Sequence, residues 1–289
     1  MQTSLDCVPC FLKQAQDAAK FAGASRTLQK QILQALARKI EKFDFRACPS
    51  EMGRELYALV IKKTGNKDPF KKIKQKSNRF ALSLYPRLKK KVAGSKDKLL
   101  SAIELAIAGN IIDYGVKHLN IDREIARIFD QEEKTIRRER PELFCYPELK
   151  KAIRRAKTIL YLADNAGEIV FDRVFIEQLK GKQVIFAVRG KPIINDALAE
   201  DAIFCGIDKI ARVVSTGCDA PGAILKFCSR SFRQMFAQWP ELIISKGQGN
   251  FEALANQGQE IFFLFRAKCP VVVKHLNCKM GDVILKKQN

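Results

Sequence analysis

Four short polar clusters carry the residues of this chain that could do chemistry, and each follows an apolar run. Asp164-Asn165 comes after Ile159 to Leu162. Arg189 to Asp196, RGKPIIND, follows the second run, Ser215 to Gly222, STGCDAPG, the third, and Lys246 to Glu252, KGQGNFE, the fourth. Asp164, Asn165 and Asp196 supply two carboxylates and an amide oxygen. Such hard donors suit Mg²⁺ or Mn²⁺ held jointly with substrate oxygens, with Co²⁺ or Ni²⁺ as further candidates. Asp164 taken alone reads equally well as a helix cap. Lys246, Gly247, Gly249 and Asn250 resemble a phosphate cradle, in which glycines let backbone N–H groups approach an anion and a lysine adds charge. The GxxxxGK order is absent, and Glu252 stands where a dinucleotide fingerprint needs its third glycine. Arg189 and Lys268 are further cations for a phosphate. The two histidines, His118 and His275, lack HxxxH spacing and argue against catalytic zinc.

These residues have to be positioned by regular elements. TILYL stops at a polar turn, and from Glu168 the apolar residues Ile169, Val170, Val174 and Phe175 take a helical period. Strand, polar turn and helix place a ligand at the carboxyl edge of a parallel sheet. Strands are expected over Thr158–Ala163, Gln183–Val188, Ala211–Ser215, Glu241–Ser245 and Ile261–Phe265, with short ones at Val271–Val273 and Val283–Leu285. Helical segments separate the first five. The reading is an α/β fold: a Rossmann-like, mainly parallel sheet with helices on both faces over residues 151–289, and an all-α domain over residues 1–150. The four clusters should then converge on one edge.

The first half reads as helices, with Leu28, Ile32, Leu36 and Ile40 on one stripe and start signals at Asp68-Pro69 and Ser95. A charged helix is expected from Arg123, and Asn110 and Asp113 lie one helical turn apart. Cys7-Val8-Pro9-Cys10 has metal or redox spacing but no second pair; seating the first helix and holding a structural metal, with Cys48 and Cys278 as partners, stay open.

The 289 residues carry a formal charge of +21 and nine cysteines. An odd cysteine count, with no apolar leader, suggests a reducing cytoplasm. No run reaches the roughly 18 apolar residues of a membrane span, so no membrane partner is expected. Lys62 to Lys91 holds twelve Lys and Arg against Asp68 alone. Such a block attracts nucleic acid or anionic substrates. With only Phe80 and Tyr85 interleaved as candidates for exposed stacking, nucleic-acid binding is the weaker reading. The oligomeric state is not legible.

DNAGEIVFD, RGKPIINDALAEDA, STGCDAPG, SKGQGNFEAL and FRAKCPVV, in this order, resemble the damage-control phosphatases, and CxxC with GNIIDYG resembles their cysteine-containing prokaryotic branch. The resemblance runs over nearly the whole chain. It implies a helical domain against a Rossmann-like one, a divalent metal held by Asp164, Asn165 and Asp196, and hydrolysis of phosphate monoesters of small metabolites such as sugar phosphates. Lys246, Lys268 and the Gly247–Asn250 amides would stabilise charge on the transferred group. Asp164 is either nucleophile or ligand; the absence of a second acid at Asn165 favours activated water. Pro240-Glu241 replaces the family's Ala-Asp, so a site role for that acid would need the longer arm of Glu241. The rival readings are a methyltransferase on a Rossmann-like sheet and a basic nucleic-acid-binding module.

Overall fold

The computed structural model describes residues 1–109, 140–238 and 240–288. The helices are α1 (Cys7–Phe21), α2 (Arg26–Glu41), α3 (Pro49–Thr64), α4 (Lys71–Ala93), α5 (Lys98–Ala108) and α6 (Tyr146–Arg155), then α7 (Glu168–Ile176), α8 (Ala199–Phe204), α9 (Arg230–Gln238), α10 (Gln248–Leu254) and α11 (Pro270–Leu276). The strands are β1 (Thr158–Leu162), β2 (Gln183–Val188), β3 (Arg212–Ser215), β4 (Leu242–Lys246), β5 (Ile261–Arg266) and β6 (Val283–Gln288). They form one sheet in the order β3-β2-β1-β4-β5-β6. The first five are parallel, and β6 runs antiparallel to β5. The chain order reverses between β1 and β4, so the edge beyond these strands is the topological switch point.

Alternation along β1 separates two apolar layers. Ile159 and Tyr161 face a core shared with α4, α5 and α7. Leu160 and Leu162 face the opposite core, with Phe232 of α9, Phe251 of α10 and Val272 of α11. Helices α1 to α3 bury Phe11, Ile32, Leu36, Leu56 and Val60 in a third cluster, joined by Ile193 from the loop after β2. α4 and α5 thus belong to the layer covering the sheet, which brings their side chains to the loops beyond β1 and β2.

Local signals act one step from where the sequence suggests. The Asp68 side chain accepts from the Phe70 N–H at 3.2 Å, and the helix proper begins at Lys71. Asp97, not Ser95, caps α5, accepting from the Leu100 N–H at 3.1 Å. Val271–Val273 is no strand: Pro270 sits at the first helical positions of α11, where its missing N–H costs no hydrogen bond, and the valines follow it into the helix. β6 runs on to Gln288, paired along β5. Asn110, Asp113, His118 and the charged helix expected from Arg123 lie outside the described residues.

Candidate active site

The four loops converge. The Thr216 N–H donates to the Val188 carbonyl at 2.8 Å, the Gly190 N–H to Cys218 at 2.8 Å and the Arg189 N–H to Ala197 at 3.0 Å. The loops after β1 and β2 are stitched by an antiparallel bridge between Asn165 and Asp196. Across it the Ala197 N–H reaches the Asp164 carbonyl and the Ala166 N–H the Asn195 carbonyl, each at 2.8 Å. Asp164, Asn165 and Asp196 are therefore brought together, and all three are buried. Ile194 adopts φ 43, a left-handed conformation costly for a β-branched residue, immediately before Asn195-Asp196.

Arg189 joins the carboxylates. Its Nε donates to Asp196 Oδ2 at 2.6 Å, and its Nη2 lies 4.0 Å from Asp164 Oδ1. Among the described residues neither Nη1 nor Nη2 has a hydrogen-bond partner, although the side chain is buried. Burial, then the negative charges of Glu168 and Asp196, push the Asp164 carboxyl well above its ordinary range, while Arg189 and Lys268 pull it down. Lys268, exposed on the loop after β5, is thus near enough to act on Asp164 through space, and its N–H donates to Gln248 Oε1 at 3.2 Å. Gly247 has φ 84, and a Cβ there would stand 2.1 Å from the Asp164 carboxyl carbon. The carboxylate has room only because that position is glycine.

Three expectations need correction. Lys246 does not stand free at the edge. It is fully buried in the layer under α5 and α7, with Nζ 2.5 Å from Glu168 Oε1, 2.7 Å from Asp172 Oδ1 and 2.8 Å from the Ala106 carbonyl. A cation placed among apolar side chains is kept only with such partners. Asn250 turns its amide to the backbone: Oδ1 accepts from Ala223 N–H at 2.8 Å, and Nδ2 donates to the Lys246 and Ala163 carbonyls at 2.7 and 3.1 Å. It ties the loops together rather than presenting itself to a ligand. Gly249 lies in the first turn of α10 without positive φ; a Cβ there would meet the Pro221 carbonyl oxygen at 2.5 Å, so it serves loop packing. Glu241 sits at the opposite end of β4 from the site, accepting from the Lys157 N–H at 2.6 Å.

Glu168 and Asp172 were not among the candidates. Two acids four apart in the otherwise apolar EIVFDRVFI were the available signal, since such a helix keeps acids only with partners. Glu168 Oε2 approaches Asn165 Nδ2 at 3.4 Å, and that amide donates to Asp164 Oδ2 at 3.0 Å. Lys246 therefore reaches the site through Glu168 and Asn165. Tyr161 donates to Asp172 at 2.7 Å, closing the buried network.

Among the described residues, no three His, Cys, Asp or Glu side chains surround one point. The donor set is two carboxylates and one amide, which fits a hard cation whose remaining positions go to substrate and water better than a closed structural site. Cys7 is buried and Cys10 exposed, and all nine cysteines are free thiols. In the basic block, Lys74 is buried against Asp68 at 2.9 Å. Phe80 packs on the core, and Tyr85 donates to Glu177 beneath the Arg173 guanidinium, so the fold itself takes up both rings.

A mainly parallel sheet with buried acids and an arginine at its switch point makes an α/β fold whose candidate ligand site lies at the carboxyl ends of the strands. Residues 3–284 match the family model "Damage-control phosphatase ARMT1-like domain", and the chain belongs to this family. It is 33% identical to damage-control phosphatase PH1575 of Pyrococcus horikoshii, over 98% of this chain and 97% of that one. It is 30% identical to a damage-control phosphatase of Archaeoglobus fulgidus, over 99% of each. The crystal structure of the Pyrococcus protein, described as a DUF89 family protein, superposes with a TM-score of 0.89 over 100% of both chains at 31% identity. The chain is thus a phosphatase of the damage-control type. No helix among the described residues is long and apolar enough to cross a membrane.

Proposed function

We propose that the protein hydrolyses phosphate monoesters of small metabolites, sugar phosphates among them, in a divalent-metal-dependent reaction in the cytoplasm. The observation that carries this reading is Arg189, a buried guanidinium beside the Asp164 and Asp196 carboxylates with two nitrogens that have no hydrogen-bond partner among the described residues. A planar fork of this kind suits a phosphate's oxygens. Asp164, Asn165 and Asp196 are the residues that would hold the metal, Mg²⁺ or Mn²⁺ first and Co²⁺ or Ni²⁺ next. When bound, such an ion neutralises phosphoryl oxygens and lowers the pKa of a water. Arg189 would bind and orient the phosphoryl group, Lys268 would add charge from the rim, and the Gly247 turn keeps the space beside Asp164 open. Lys246 fixes Glu168, and through it the Asn165 amide that orients Asp164. Free thiols throughout favour a reducing compartment.

The test is turnover of a panel of phosphate monoesters, sugar phosphates included, by metal-stripped protein given Mg²⁺, Mn²⁺, Co²⁺ or Ni²⁺ in turn. Activity should return only with a divalent ion and be absent in Asp164→Ala and Asp196→Ala. Full activity in excess chelator would overturn the metal reading. Activity confined to substrates other than monoesters would overturn the substrate class.

A further inference from the structure

The loops after β1 and β2, which carry Asp164, Asn165 and Asp196, meet a third element that contributes nothing to the sheet. One face of α4 presents Lys74, Ser77 and Asn78, at helical spacing, and all three are buried. Asn78 Oδ1 accepts from the Gly167 N–H at 2.7 Å, and its Nδ2 donates to Asp201 Oδ1 at 2.7 Å. Asp201 in turn accepts from the Leu198 N–H through Oδ2 at 2.9 Å. Lys74 lies 2.9 Å from Asp68 and 3.8 Å from Asp201, supplying the opposite charge. Gly167 has φ 82, and a Cβ there would stand 2.9 Å from Ser77 Cβ, so the turn is pressed against this helix.

We propose that Asn78 is a positioning residue for the phosphatase reaction: one amide, from a helix remote in sequence, sets the spacing of the two loops that carry the site. The bridge between Asn165 and Asp196 holds the loops edge to edge, but two hydrogen bonds across one bridge leave a hinge. Asn78 ties together the segments that follow the bridge's two sides, at Gly167 just beyond Asn165 and at Asp201 in α8 beyond Asp196. An acceptor for a backbone N–H and a donor to a carboxylate are both required, and among neutral side chains of this length the primary amide supplies both. Asn78→Ala leaves the Gly167 N–H and Asp201 Oδ1 without their partner. Asn78→Asp keeps the acceptor but sets one carboxylate against another. The exchange Asn78→Asp with Asp201→Asn restores the pattern reversed, since the new amide can donate to residue 78 and still accept from the Leu198 N–H.

The experiment measures kcat and KM for p-nitrophenyl phosphate, thermal melting, and hydrogen exchange of the segment spanning Gly167 in all three proteins beside wild type. Asn78→Ala and Asn78→Asp should lower kcat by about 10- to 100-fold, the scale for a small displacement of reacting groups, with KM changing much less. Both should speed exchange at Gly167 while distant segments of the sheet keep their protection. The double exchange should recover most of kcat and of the protection. Unaltered exchange at Gly167 in Asn78→Ala overturns the clamp, whatever the kinetics. A kcat that falls only as far as the unfolded fraction at the assay temperature overturns the positioning role. A double exchange that folds yet stays as slow as Asn78→Asp does so as well. Should the double exchange fail to fold, Asn78→Ala decides alone by its two readouts.

Discussion

Replacing Lys246 by methionine separates two roles that the sequence cannot tell apart. Methionine keeps most of the apolar stem and removes the ammonium. The structure places that ammonium between Glu168 and Asp172, at 2.5 and 2.7 Å, in a fully buried position. Its loss leaves two buried carboxylates without their cation, and breaking a buried pair in this way costs about 3–5 kcal/mol. At about 2.1 cal/mol/K of unfolding entropy per residue, a chain of 289 residues loses roughly 5–8 °C of melting temperature for that sum. Burial already raises Asp172 to about 6 even against the pull of Lys246, and removing the lysine raises it further. A carboxyl raised in the folded state binds its proton more tightly there than in the unfolded chain. Its contribution is therefore intact at acid pH and lost as pH rises through the folded value. The deficit of Lys246→Met should accordingly be small near pH 4, the ordinary carboxyl range, and grow as pH passes about 6. Thermal melts over that range are the assay, with Glu168→Gln and Asp172→Asn added to Lys246→Met as a triple variant. Removing the stranded charges should recover most of the lost stability. If Lys246→Met melts within about 2 °C of wild type at neutral pH while inorganic phosphate binds far more weakly, the ammonium serves the ligand directly and the reasoning fails.

Two more predictions concern the loops. Gly247→Ala puts a methyl group 2.1 Å from the Asp164 carboxyl carbon at φ 84; kcat/KM should fall by at least about 10²-fold, and near-normal steady-state kinetics would show that Asp164 has room to move. The Cys218 thiol is drawn below its ordinary value by its hydrogen bond with Cys228, against burial and with help from Arg189. A thiol lowered in the folded state adds stability above its unfolded value of 9.0 and loses it as pH falls through its folded value. Ultraviolet thiolate absorbance should thus show a transition below that of an ordinary thiol that Cys218→Ser abolishes, and transitions confined to pH above 9.0 would refute this.

The sequence by itself determined the elements with strong local causes. The apolar runs became parallel strands because each is short, β-rich and closed by a polar turn. Convergence of Asp164, Asn165, Arg189 and Asp196 followed from that topology alone, since carboxyl ends of parallel strands share an edge. Local reading failed where two signals competed. Val271–Val273 has strand composition, but Pro270 opens a helix there. The role of Glu241 was open in the sequence, and the structure puts it at the amino end of β4, away from the site.

Side-chain direction was decided only by the tertiary structure. A lysine at the last position of a strand points to one sheet face or the other, and which face is apolar depends on the helices packed there. For Lys246 that face is the layer of α5 and α7, so a residue that reads as a phosphate ligand became the partner of Glu168 and Asp172. Asn250 and Gly249 were likewise taken by neighbouring loops whose approach no local pattern records. Lys74 and Asn78 sit in a helix whose other basic residues are solvated, and nothing in their spacing marks them. They matter because folding lays α4 across two loops some ninety and more than a hundred residues away. Hydrogen bonds of that sequence separation are set by packing of whole layers, which depends on every apolar face at once and cannot be read from one segment.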